Sequence, residues 1–337
     1  MRNKCPKTII VITIALVMMI LIGEWYAYIA PHDHHSSAEM DGDTVTFSIE
    51  SKGTREYKAV LFDNDDYSAV TEMYLFYDEK YASNVNENTD PPIGSPQYTE
   101  KYFLEQLRNF LSYKGMSNIT FVNANRAESL MEEQITTGSA IGKGIMFACG
   151  SIPDNLFTGD RSDILPTWIE QGGSMYWVGN EIGKYISQGD NIIEVNATTE
   201  LTDVPDITFC ESGKTKDVSI LREELSLLVY NTRYAIDGTG VEHYGYSDGT
   251  YSTVSCIGKG LGQICVISGS LCMNLDKDLS NVICSGLSDR SELIDYDSGT
   301  ITDSVKGVMT VPDIHGNISL YLYVGSYHSI YGDRHDL

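Results

Sequence analysis

Apolar residues recur with two periods along this chain, and the two alternate in blocks. Residues 44–50 alternate apolar and polar, as an edge strand does. Residues 57–63 (YKAVLFD) read as a buried strand ending in acid, followed by a long loop with Pro91, Pro92 and Pro96. Phe103, Leu107, Phe110 and Leu111 share one face of a helix predicted over 99–113, with Gly115 as its stop. A short strand is predicted at 119–123 and a helix at 127–135. Residues 143–185 then give a buried strand (KGIMFAC), an amphipathic helix closed by Gly172 and Gly173 (DILPTWIEQGG), a second buried strand (SMYWVG) and a sharp turn into another helix. Further helices are predicted at 217–230 and 275–287, and strands at 251–257 and 263–268. Alternating strands at 305–311 and 318–324 close the chain. Four strand–helix alternations with short connections predict an α/β fold, a doubly wound and mainly parallel sheet of flavodoxin-like type. The tyrosine-rich tail is expected as a β extension. The expected division is an anchor at 1–30, a polar linker at 31–43, the α/β domain at 44–290 and a hairpin extension at 291–337.

The N-terminus adds a membrane to this picture. Arg2, Lys4 and Lys7 precede sixteen uncharged residues, TIIVITIALVMMILIG, and Trp25, Tyr26 and Tyr28 suit an interface. The expectation is an uncleaved signal-anchor: a single-pass transmembrane helix in the cell membrane with the body extracytoplasmic. Ala27 and Ala30 do not make the A-x-A site of a cleaved signal peptide. The net charge of −24 excludes nucleic acid as a partner, because phosphates would be repelled. Of seven cysteines, Cys5 sits on the basic flank. Cys149, Cys210, Cys256, Cys265, Cys272 and Cys284 lie in the body, and Cys256 and Cys265 flank a GKGLG turn, where they face each other if it is a hairpin. The absence of any C-x-x-C pair argues against structural zinc.

The turn Gly179-Asn180-Glu181-Ile182-Gly183 is the leading site candidate. A strand-to-helix turn at the carboxyl edge of a parallel sheet is where α/β enzymes present a nucleophile. The phrases FACGSIPDN, WIEQGGSMYWVG and STVSCIGKGLGQICVISGS resemble the class I glutamine amidotransferase-like fold, in particular its non-amidotransferase branches, the trehalose-utilisation-type proteins and the associated domain of some β-galactosidases. The resemblance covers roughly residues 55–290. It implies a Gly-x-Cys-x-Gly elbow and a late His-Pro-Glu, with the cysteine attacking an amide and the histidine taking its proton. Here Glu181 stands in the cysteine's slot, and no His-Pro-Glu follows residues 267–270. The resemblance then implies a scaffold used for binding or assembly, with a carbohydrate or another protein as partner.

Three rival constellations remain. Cys149, at the end of a buried strand, is a candidate nucleophile that needs a base. Glu181, Asp154 and Asp63 are candidates to converge above the sheet as a carboxylate pair for glycoside hydrolysis. Asp63, Asp65 and Asp66 resemble the D-x-D of metal-dependent phosphatases, or else form a weak calcium site. No other cofactor is expected. Binding candidates at the turn are Gly179, Asn180, Glu181 and Tyr185, with Cys149 and Asp154 beside them.

Overall fold

Alternation of inward apolar and outward polar side chains governs the first three strands. The computed structural model describes residues 34–64, 70–85, 97–211, 234–243, 252, 254–268, 271, 275–285, 292–311, 317–326 and 329–337. β1 (His34–Asp41) and β2 (Thr44–Ser51) form an antiparallel hairpin that turns at Gly42. The stretch expected as a polar linker is therefore strand from His34 onward. β2 buries Val45, Phe47 and Ile49 on one face. β3 (Arg55–Asn64) likewise buries Tyr57, Ala59 and Leu61, the spacing of two that a half-buried strand requires.

The strands of the parallel sheet come next. β4 (Glu72–Phe76) is followed by α1 (Glu100–Tyr113), and β5 (Asn118–Val122) by α2 (Ala124–Thr137). β6 (Lys143–Phe147) is followed by the two-residue β7 (Ile152–Pro153) and then by α3 (Ile164–Glu170). The helix starts obey capping chemistry: the Thr99 hydroxyl accepts from the Tyr102 N–H, and Asn123 accepts from the Arg126 N–H at 2.9 Å. β8 (Ser174–Gly179) leads into a hairpin of β9 (Tyr185–Gln188) and β10 (Asn191–Glu194), then α4 (Thr198–Thr202). A small ladder of β11 (Thr208–Glu211) and β12 (Tyr234–Asp237) precedes β13 (Val241–His243), the hairpin β14 (Val254–Lys259) and β15 (Gly262–Ser268), and α5 (Leu275–Ser285).

Seven of these strands form one sheet in the order β13-β14-β15-β8-β6-β4-β5. The five from β15 to β5 run parallel, and β14 and β13 are antiparallel additions at one margin. One face packs under α1 and α5, through Leu104, Leu107, Leu279 and Val282. The other packs under α2 and α3, through Met131, Trp168 and Ile169. A line of polar contacts ties that second layer to the sheet. Trp168 Nε1 donates to Gln134 Oε1 at 2.7 Å, Gln134 Nε2 to the Tyr74 hydroxyl at 2.8 Å, and Tyr74 to Glu72 Oε1 at 2.8 Å. Lys143 Nζ closes the line 2.5 Å from Glu72 Oε2. Its ammonium, hydrogen-bonded to Glu72, holds that carboxyl below its ordinary range.

The last four strands, β16 (Glu292–Ile301), β17 (Ser304–Thr310), β18 (Asn317–Ser326) and β19 (Ser329–Asp336), pair with the first three. β3 lies between β16 and β18 in a sheet ordered β16-β3-β18-β19, and β17 joins β2 in a sheet ordered β1-β2-β17. Phe47, Leu61, Leu320, Leu322 and Met309 fill a shared apolar interior. The Ser36 hydroxyl and His335 Nε2 meet at 3.0 Å, linking β1 to β19.

Three expectations are corrected. The fold is a mixed, strand-rich one in place of a mainly parallel doubly wound sheet with a β extension. Residues 57–63 do not start the parallel sheet, because β3 finds both its neighbours in the tail. The membrane keywords and the single-pass, extracytoplasmic placement are not upheld either. Among the described residues no helix is long and apolar enough to cross a membrane. The longest, α1 and α2, have 14 residues each, against the roughly 20 a span requires. The apolar run before residue 31, and the helix expected at 217–230, lie outside the described residues.

Removing residues 292–337 takes both neighbours from β3 and one from β2. Hydrogen exchange on that truncated chain is expected to show lost protection across 44–64 while the amides of β6 and β8 stay protected. Persisting protection across 44–64 would contradict this pairing.

Candidate functional site

Parallel sheets present their loops at the carboxyl ends of the strands, and a crevice opens where the strand order reverses. Here that place is β4, which has β5 on one side and β6 on the other. Three segments arrive there: residues 77–85 after β4, 148–151 after β6 and 179–183 after β8. They close on one another. Gly150 (φ 70°) approaches Asn84 so tightly that a Cβ would lie 2.4 Å from the Asn84 carbonyl oxygen. Gly179 (φ 133°) leaves only 2.9 Å between such a Cβ and the Gly150 Cα. Both conformations favour glycine.

Asn180 occupies the space between these turns. Its side chain is buried, and Nδ2 donates to the Asn84 carbonyl and, at 3.5 Å, to the Gly150 carbonyl. Its own carbonyl accepts from Trp177 Nε1 at 2.7 Å. The Asn84 N–H donates to the Cys149 carbonyl at 2.6 Å, and the Ser151 hydroxyl to the Ala82 carbonyl at 3.0 Å. The turns that border the expected crevice are tied to one another by backbone and amide groups.

The turn at 179–183 does not enter a helix. It leads into β9, which pairs with β10 and with β7. Glu181 points to Lys184, whose Nζ lies 2.7 Å from Oε2. That hydrogen bond raises the Lys184 pKa. Tyr185 lies under the same ammonium, 5.6 Å from its ring centroid. Asp154 accepts from the Tyr81 hydroxyl, and burial, then the Asp154 charge and this bond, push the tyrosine's pKa up. Glu181 and Asp154 thus each have a separate local partner. Asp63 lies on β3, opposite Glu292 and Ile318, in a different sheet from the parallel one. Asp65 and Asp66 lie outside the described residues. Among the described residues no group of three or more His, Cys, Asp or Glu could hold a metal.

Cys149 is buried, and its thiol donates to the Ser151 carbonyl at 2.8 Å. Burial pushes the thiol well above its ordinary range, and the nearby Glu100 carboxylate adds to the effect. That is the opposite of what a nucleophilic cysteine needs. Sequence reasoning missed Asn84, Gly150 and Glu100. Asn84 and Glu100 sit in no motif, and only the inward position of Glu100 just after the capping Thr99 hinted at burial.

No family model and no curated protein matches the chain. Three solved structures show a distant likeness. Exo-beta-1,4-mannosidase Op5Man5 from Opitutaceae bacterium strain TAV5 is 14% identical with a TM-score of 0.32, over 65% of this chain and 35% of that one. Cytoplasmic protein STM1381 from Salmonella typhimurium LT2 is 11% identical with a TM-score of 0.38, over 63% and 98%. The beta-galactosidase from Bacillus circulans sp. alkalophilus is 13% identical with a TM-score of 0.35, over 77% and 35%. The matched region spans 35% of either glycosidase. At these TM-scores the likeness says nothing about activity.

Asn180→Ala removes the donor shared by two carbonyls and is expected to cost about 1–3 kcal/mol in urea unfolding. A cost near zero would mean that the amide bridges nothing. Iodoacetamide at neutral pH is expected to leave Cys149 unlabelled in the folded chain and to label it after denaturation. Rapid labelling of the folded chain would restore it as a nucleophile.

Proposed function

We propose that this chain is a non-catalytic binding or assembly domain, with a carbohydrate or another protein as its partner. One observation carries the reading: the Asn180 side chain fills the place between the turns at 84, 150 and 179 where a reacting group would have to sit. The candidate carboxylates support it, since Glu181 is engaged by Lys184 and Asp154 by Tyr81. Each is held by its own neighbouring side chain, whereas a glycosidase pair must act together on one bond. The raised pKa of the Cys149 thiol argues against thiolate chemistry in the same crevice. Kinship with the class I glutamine amidotransferase-like proteins belongs to this proposal. It accounts for a glycine-flanked turn that carries Glu181 where that family carries cysteine. The net charge of −24 favours partners with basic or neutral surfaces.

Purified full-length chain is expected to release no ammonia from glutamine and no aglycone from aryl glycosides, and to be retained on a glycan or protein array. Turnover of either substrate that Glu181→Gln, Asp154→Asn or Cys149→Ser abolishes would overturn the reading. Absence of both turnover and retention would remove the binding role.

A further inference from the structure

Cys256 on β14 and Cys265 on β15 stand directly opposite each other in the antiparallel register. The hairpin turns on Gly260, at φ 61°, and Leu261, with Lys259 opposite Gly262. In a two-residue hairpin the closing pair exchanges hydrogen bonds, and sites then alternate along the ladder. Counting outward from Lys259–Gly262, the Cys256–Cys265 pair falls on a non-hydrogen-bonded site. There the Cα atoms of an antiparallel pair stand about 4.5 Å apart and the side chains are closest. That is inside the range of about 4.4–6.8 Å that a disulfide tolerates. Both side chains are fully buried, on the face that packs under α1 and α5.

We propose that Cys256 and Cys265 form a reversible cross-strand disulfide that latches the antiparallel margin, β14 and β13, onto the parallel part of the sheet. β15 is held on its other side by β8, whereas β14 pairs, among the described residues, only with β15 and the three residues of β13. The oxidant is a small-molecule disulfide such as oxidised glutathione. One cysteine thiolate attacks a glutathione sulfur and expels one glutathione thiolate. The second cysteine then attacks the mixed disulfide and expels the other. Two thiols lose two protons and two electrons, and one glutathione disulfide becomes two thiols. With both sulfurs buried, exchange proceeds through opening of the hairpin edge, so the latch closes only on chains that have opened.

The full chain is incubated with oxidised glutathione or with dithiothreitol, quenched in acid, alkylated, digested and mapped by mass spectrometry. The expected oxidised product joins residue 256 to residue 265. Its formation is expected to slow amide exchange in β13 and β14 by on the order of tenfold or more. Cys265→Ala and Cys256→Ala, each checked for a native circular dichroism spectrum, are expected to lose that slowing. The proposal is overturned if both cysteines are recovered alkylated after oxidation. It is equally overturned if either is joined instead to Cys284 or to glutathione, or if exchange in β14 does not change on oxidation.

Discussion

Two backbones in contact, at Gly150 and Gly179, set the character of the whole carboxyl edge of the sheet. Neither residue tolerates a Cβ, because the next atoms are backbone and cannot swing aside. With the main chains this close, the flat amide of Asn180 sits between them. A buried amide must spend its donors on whatever surrounds it, and here the surroundings are carbonyls of two neighbouring turns. The consequence spreads outward. Residues 77–85 are drawn over the end of β6, Cys149 is shut away from water, and its thiol is held neutral. At the edge that is a reaction chamber in many parallel-sheet enzymes, these turns are tied to one another.

Much of the local structure was legible in the sequence, and the reasons are local. Thr99 caps α1, Gly138 ends α2 in the left-handed conformation, and KGIMF and SMYWVG are apolar without interruption because both faces of β6 and β8 are covered. The two-residue turn between Cys256 and Cys265 shows in GKGLG. Partners far away in the sequence were not legible. The pattern of β3 says that one face is buried, and it is silent on what buries it; its neighbours come from residues 292–326. The stretch after Gly183 was misjudged for a related reason. Tyr185 to Gln188 could pair or coil, and the decision rests with Ile186 against Ile193 and Ile152.

The candidate site was legible by position and illegible by chemistry. Asn180 and Glu181 stand where the glycine spacing put them. Which of the two faces inward depends on the Asn84 and Gly150 carbonyls, and a one-dimensional reading cannot place those. Glu181, the more reactive side chain, turns out to Lys184, and the unreactive amide turns in. The polar line from Trp168 through Gln134 and Tyr74 to Glu72 and Lys143 shows the same dependence on distant partners. Each member looks ordinary alone, and together they satisfy one another along a line that runs from the buried Trp168 out to the half-exposed Glu72 and Lys143.

The placement of β3 between β16 and β18 bears on how the molecule is made. On a ribosome, residues 34–64 emerge long before the strands that flank β3. Until residues 292–326 have emerged, β3 lacks both its pairing partners and β2 lacks one, while the central α/β unit can already collapse. Closing a loop of more than two hundred residues is slow, and an unpaired strand edge invites pairing with other chains. The nascent polypeptide therefore passes through a long, sticky adolescence, and its yield in a cell should depend on chaperones that shield β2 and β3 until residues 292–326 have emerged.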